Sequence, residues 1–190
     1  MIQLDAKQTR DCLDYADVAR EIETVLDSQN LGSAFAPERL IMRWNEQASL
    51  LLMPAYDTDY LITKTVTVCQ GNAAQQLPIV QGNVSVFRKS NGTRMLELDG
   101  ATVTAFRTAA LSLVAMRKMG YQGIETATVM GTGVQARAHI EAIHQLHPDC
   151  RFFVQGRNVD RIEAFIGSFS QPGLKLSQVV QLRDAIASSD

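Results

Sequence analysis

This chain is poor in the residues that mark several large protein classes. Among its 190 residues are three cysteines, Cys12, Cys69 and Cys150, odd in number and widely spaced. That is too few for a disulfide framework and matches no zinc site; reduced thiols in a cytoplasm are expected. An excess of one charge is also missing. The net charge is −2 and the isoelectric point about 5.9, so neither nucleic acid nor an anionic membrane is favoured as partner. No apolar run approaches the ~20 residues that cross a bilayer. The N-terminal stretch 1–15 carries too many charges for a signal peptide. Internal repeats and low-complexity tracts are absent. What is present is a chain 46% hydrophobic and 20% charged, suited to one large or two small soluble domains.

Hydrophobic periodicity divides the chain in two. Asp14 can cap a helix starting near Tyr15, with Val18, Ile22, Val25 and Leu26 on one face and a stop at Asn30-Leu31-Gly32-Ser33. Strands are predicted at 39–44, 50–53, 61–68, 84–88 and 94–98, the last two joined through Asn91-Gly92, a strong hairpin signal. A long helix follows over 102–118, its apolar positions including Phe106, Ala109, Ala110, Leu113, Val114 and Met116. From Ile124 strands and helices alternate: strand 126–130, helix 134–146, strand 151–155, helix 160–165, strand 174–176, helix 177–188. Such alternation signals a parallel α/β sheet. The expected boundary lies near Gly120, giving domains 1–119 and 120–190.

At the first strand-to-helix turn of the second half stands Gly131-Thr132-Gly133-Val134-Gln135-Ala136. In a G-x-G-x-x-A turn the first glycine permits the tight bend and the second lets a pyrophosphate approach the backbone. The small third residue lets the helix pack close to the strand. The helix N-terminus then presents free N–H groups and a positive dipole end. A lone G-x-G is weak, but this one follows an apolar strand and opens a helix, the context the motif requires. Gly131, Gly133, Val134 and Gln135 are therefore the cofactor-binding candidates. At the end of the next strand, Gln155-Gly156-Arg157-Asn158 holds no acid for a ribose hydroxyl. Arg157 is placed to meet a 2′-phosphate, which tilts NAD(P) toward NADP(H). His139, His144 and His147 match no zinc spacing, and His139 reads as a packing or hydrogen-bonding residue.

Residues 60–68 pose a separate question. At a strand period they place Leu61, Thr63, Thr65 and Thr67 on one face and Ile62, Lys64, Val66 and Val68 on the other. Three readings of that lysine stand. It snorkels to water, it is the inward charge of an edge strand, or it points into a cavity that needs a cation. Burying an ion costs several kcal/mol, and burying a valine returns only ~1.5–3 kcal/mol. An internal lysine therefore needs an anionic partner or a task.

Three stretches together carry a family resemblance. They are Met53-Pro54-Ala55-Tyr56 followed by Thr63-Lys64-Thr65-Val66; Thr104-Ala105-Phe106-Arg107-Thr108-Ala109-Ala110; and the glycine loop with His139 after it. In this order the chain resembles the ornithine cyclodeaminase/μ-crystallin family. The resemblance implies an α/β protein in which an α+β substrate-binding and dimerisation domain precedes a Rossmann dinucleotide-binding domain. It implies a cytoplasmic homodimer acting on small imino or amino acids with NAD(P). Arg39 and Arg107 then clamp the substrate carboxylate, for which the planar guanidinium fork is suited. Arg43, four residues on and on the same strand face, competes with Arg39. Lys64 stands beside the substrate as the catalytic lysine, orienting the carboxylate and influencing protonation at the reacting nitrogen. The expected activity is reduction of cyclic imino acids such as Δ1-pyrroline-2-carboxylate. Ornithine cyclodeamination and a non-catalytic, crystallin-like binding role are the alternatives.

Two features depart from the family pattern. Ile79 stands where many members carry threonine or serine near the substrate, and the stretch 64–72 lacks the extended loop of cyclodeaminases, which favours the ketimine reductase branch. The chain also ends after residue 190, before the further strand, the aspartate and the returning helix that the family supplies. A fragment or a truncated gene product is expected, with an apolar sheet edge that promotes self-association.

Overall fold

The computed structural model describes residues 1–190 except 31, 122, 180, 188 and 190. The turn at Leu31 and the helix end at Ser188 expected from sequence lie outside the described residues. The chain forms two compact units, Met1–Leu13 with Arg20–Thr104, and Asp14–Ala19 with Ala105–Asp190.

The first unit is built on a six-stranded sheet. Its elements are β1 (Ile2–Gln3), α1 (Ala6–Asp11), most of α2 (Tyr15–Asn30), β2 (Leu40–Asn45), β3 (Ala48–Tyr56), β4 (Tyr60–Cys69), β5 (Val80–Arg88) and β6 (Arg94–Asp99). The strand order is β1-β6-β5-β4-β3-β2, with β1 parallel to β6 and every other pair antiparallel. Local chemistry sets each turn. Asp57 Oδ1 accepts from the N–H groups of Asp59 (2.8 Å) and Tyr60 (2.7 Å), closing the β3–β4 hairpin. Gly92, at φ +70°, donates its N–H to the Arg88 carbonyl at 2.8 Å, so the Asn-Gly hairpin forms as expected. α1 begins with a reciprocal box in which Asp5 and Gln8 satisfy each other's backbone N–H.

β3 runs through Pro54, where a shorter strand was expected. Tyr56 exchanges both backbone hydrogen bonds with Phe35, on the side away from β4. Two residues earlier, the missing N–H of Pro54 points the same way, beyond the last β2 pair, Leu40 with Leu52. No ladder bond is lost there, so proline is tolerated.

The second unit holds the start of α2, the body of α3 (Gly100–Lys118), β7 (Thr126–Met130), α4 (Val134–Leu146), β8 (Arg151–Gln155), α5 (Val159–Gly167), β9 (Lys175–Gln178) and α6 (Leu182–Ala187). The three strands form a parallel sheet in the order β7-β8-β9. This β-α-β-α-β run is the repeating half of a doubly wound dinucleotide-binding sheet. Its core is apolar: Phe152, Val154 and Ile140 are fully buried and Ile162 nearly so. Asp14 caps α2 through the N–H groups of Ala16 (2.9 Å) and Asp17 (3.0 Å). The ring of Tyr15 stacks on Phe106 of α3 with centroids 4.2 Å apart, and its hydroxyl donates to Glu141 of α4 at 3.1 Å.

Two expectations are corrected. On α2 the buried positions are Tyr15 and Ala19, whereas Val25 and Leu26 are 42% and 43% exposed. Beyond Ala19 the apolar face is not buried, and Val25 lines a surface pocket with Phe35, Tyr56 and Ile62. Toward the C-terminus, Ser177 and Gln178 continue β9, where a helix start was expected, because pairing of Phe153 with Ser177 and Val154 with Gln178 overrides their polarity.

Candidate functional site

Lys64 lies on β4, which pairs with β3 on one side and β5 on the other. The edge-strand reading of this lysine is thereby removed. Its row across the sheet is Met53, Lys64, Val84 and Leu98, so a cation stands in line with three apolar residues. Along the strand Val66 is 8% exposed and across from the lysine Val84 is 6% exposed, while Lys64 itself is half-buried. Its Nζ donates to Thr104 Oγ1 at 3.4 Å, and Thr104 donates in turn to the Gly100 carbonyl at 2.6 Å. The first turn of α3 thus holds the ammonium on this face of the sheet.

A close backbone contact places that turn. A Cβ added at Gly100 would stand 2.7 Å from the Gly82 carbonyl carbon and 2.8 Å from both the Gly82 oxygen and the Asn83 nitrogen. Only glycine lets the helix start press on β5 in this way. Asp99 caps the helix, accepting from the Thr102 N–H at 2.7 Å and its hydroxyl at 2.6 Å, and the Asp99 N–H donates to Thr9 Oγ1 at 3.1 Å. Gly82 and Gly100 were not singled out from the sequence, and Thr104 entered only within the resembling stretch 104–110. A lone threonine in a helix carries no signal, but a glycine inside strand β5 was a readable sign of close approach.

The sheet register also bears on the two candidate arginines. Arg39 is exposed and adjoins Leu40, whose partner is Leu52, so it borders the Met53–Lys64 row two strand spacings away, ~10 Å. Arg43 pairs with Ser49, which pairs with Val68, four residues and ~13 Å along β4 from Lys64. Of the two, Arg39 lies nearer the row that holds Lys64. Ile79 stands just before β5, its carbonyl accepting from the Cys69 N–H at 2.8 Å, past one end of the β4–β5 ladder whose middle pair is Lys64–Val84.

In the second unit Arg107 is exposed on α3 while Ala105, Phe106, Ala109 and Ala110 around it are buried. The helix is fixed by its apolar neighbours and offers the guanidinium outward.

The glycine turn has the geometry its sequence predicts. Gly131 sits at φ +111°, which only glycine adopts without strain, and donates its N–H to the Gln155 carbonyl at 2.7 Å. Gly133 is the N-cap of α4 and supplies no side chain to cap it. A Cβ at either glycine would meet nothing within 4 Å, so the space over the turn is open. Val134 is 68% exposed and Gln135 is exposed beside it. The Met130–Gln155 pair brings the loops after β7 and β8 side by side at the C-terminal ends of the strands. A Cβ on Gly156 would come within 3.7 Å of Thr132 Cγ2. Arg157 is exposed on that second loop, just before Asn158 caps α5 through the Arg161 N–H at 2.8 Å. An uncapped helix start and an open glycine turn fit the diphosphate of a dinucleotide. His139 on α4 makes two hydrogen bonds, to Ser112 and to the Gln135 carbonyl.

The chain is 34% identical over 161 residues to Delta(1)-pyrroline-2-carboxylate reductase 2 of Burkholderia ambifaria, covering 85% of this chain and 52% of that protein. It is 32% identical, over the same shares, to the Delta(1)-pyrroline-2-carboxylate/Delta(1)-piperideine-2-carboxylate reductase of Azospirillum brasilense. The chain therefore spans about half the length of the curated relatives it matches. The structure of Thermococcus litoralis Delta(1)-pyrroline-2-carboxylate reductase, in complex with NADH and L-proline, superposes with a TM-score of 0.88 at 25% identity, covering 100% of this chain and 60% of that one. The sequence profile of the ornithine cyclodeaminase/mu-crystallin family matches residues 2–190, and the chain belongs to that family.

Proposed function

We propose that this chain carries the substrate lysine and the dinucleotide turn of an NAD(P)H-dependent reductase of cyclic imino acids, of the Δ1-pyrroline-2-carboxylate type. The observation that carries this reading is Lys64. It is a cation on an interior strand, in an apolar row, tethered from the first turn of α3. An anionic substrate beside it would gain a charge-assisted hydrogen bond from this ammonium. Arg39 and Arg107 bind the carboxylate through their planar forks. Gly131, Gly133, Val134 and Gln135 hold the diphosphate through backbone N–H groups. Arg157 favours the 2′-phosphate of NADP(H). Held by these residues, NAD(P)H would supply the hydride that reduces the C=N carbon. Lys64 holds the imino acid in register and assists proton delivery to the ring nitrogen, completing the amine.

In this reading residues 1–119 bind substrate and form the dimer, and residues 120–190 bind the dinucleotide. The exposed strand β2, with Leu40, Ile41, Met42 and Trp44 all at least 51% exposed, supports a homodimer. No helix among the described residues is long and apolar enough to cross a membrane, and the sparse cysteines favour a cytoplasmic setting.

The test is to add Δ1-pyrroline-2-carboxylate to the protein with NADPH or NADH and follow nicotinamide absorbance and proline. Absorbance loss with matching proline formation is expected. No turnover with five- or six-membered cyclic imines overturns the reading. Ammonia release from ornithine in their place transfers the assignment to cyclodeamination.

A further inference from the structure

His139 lies outside the residues given a role above, yet it ties two helices of the second unit together. Its Nδ1 stands 2.7 Å from the Gln135 carbonyl oxygen and its Nε2 stands 3.0 Å from Ser112 Oγ on α3. A carbonyl can only accept, so Nδ1 carries the hydrogen. In the neutral ring Nε2 is then the acceptor and the Ser112 hydroxyl donates to it. If the ring is doubly protonated, Nε2–H donates to Ser112, whose hydroxyl turns to the Thr108 carbonyl at 3.4 Å. The connection from α3 to Gln135 survives in both states.

The bonded carbonyl belongs to a particular peptide unit. Gly133 is the N-cap of α4, so Ala136 is its third residue, and the Ala136 N–H is one of the donors a helix start leaves without a helical partner. That N–H shares a planar trans peptide with the Gln135 carbonyl and points opposite to it. Fixing the carbonyl from below therefore aims the N–H above.

We propose that His139, steadied by Ser112, is a positioning residue that orients the Ala136 N–H toward the diphosphate of the bound dinucleotide. The inference rests on the dinucleotide reading of the glycine turn. It assigns His139 no contact with ligand and no part in the chemistry.

The test is a titration of the protein with NADH and NADPH, read by nicotinamide fluorescence, for four single variants and the His139→Ala/Ser112→Ala double variant, with folding checked by circular dichroism. His139→Ala removes the brace and is expected to weaken binding about threefold to tenfold, the worth of one hydrogen bond. His139→Asn keeps a donor at the position of Nδ1 and restores most of the affinity. His139→Gln is nearer to histidine in size but places its donor at the position of Nε2, and does not. Ser112→Ala gives a smaller loss that does not add to that of His139→Ala. Rescue by glutamine better than by asparagine marks His139 as a packing residue and overturns the proposal. So does unchanged affinity in His139→Ala. If the unaltered protein binds neither nucleotide, the dinucleotide reading itself fails and takes this inference with it.

Discussion

Replacing Gly100 by alanine tests how the lysine is held, without any ligand. On helix propensity alone the change should stabilise the protein by about 1 kcal/mol. The structure reverses that sign. The new Cβ would lie 2.7–2.8 Å from three main-chain atoms of β5. To regain ordinary contact, the start of α3 must retreat by roughly 0.6–0.7 Å, and a packed sheet offers little room for it. Overpacking of this kind costs ~1–3 kcal/mol, toward the upper end when the obstacle is backbone. A net destabilisation of about 1–2 kcal/mol follows, which for a chain of this length lowers Tm by ~2–8 °C. The same retreat stretches the 3.4 Å bond from Lys64 to Thr104 beyond hydrogen-bonding range. Urea denaturation at unchanged m-value measures the first effect. Gly71→Ala is the control, since a Cβ there meets nothing within 4 Å and should be neutral or slightly stabilising. A Gly100→Ala protein as stable as the parent would refute the close-packing argument and, with it, the account of how Thr104 is placed.

Further tests address the chemistry and the assembly. Lys64→Ala is expected to lower imine turnover by at least ~100-fold while leaving NADH affinity unchanged; equal activity returns Lys64 to a snorkelling surface role. Arg157→Ser should cost NADPH about tenfold in affinity and NADH little, as measured by paired titrations; parallel losses would separate Arg157 from the 2′-phosphate. Sedimentation should show a dimer, and Met42→Asp on the exposed strand β2 should shift it to monomer; an unchanged dimer places the interface elsewhere.

Where a feature was set by a few adjacent residues, it was readable in advance. The Asn91-Gly92 hairpin, the Asp14 cap, the strand at 126–130 and the glycine turn all formed as expected. Asp5 and Gln8 spell a capping box that was equally readable but was passed over. The two-residue strand β1 had no local signal, since it exists only through its pairing with Leu96 and Glu97. The site divides in the same way. Lys64 drew notice because it breaks an apolar alternation within one strand. Thr104, forty residues away, becomes meaningful only when the sheet and α3 are assembled. Arg39 was chosen over Arg43 on the family resemblance; the register, which the spacing of arginines along one strand does not contain, adds that Arg39 borders the lysine row.

Helix α2 leaves one unit for the other between Ala19 and Arg20, and α3 does so between Thr104 and Ala105. Each unit is therefore assembled from separated pieces of chain. A gene segment cut at residue 105 to graft the second unit onto another protein would leave Asp14–Ala19 behind. The recipient would receive Phe106 without the Tyr15 ring that stacks on it, and Glu141 without that tyrosine's hydroxyl. Recombination by simple end-to-end fusion is thus disfavoured, and a transplant that works should need the short N-terminal helix start supplied alongside.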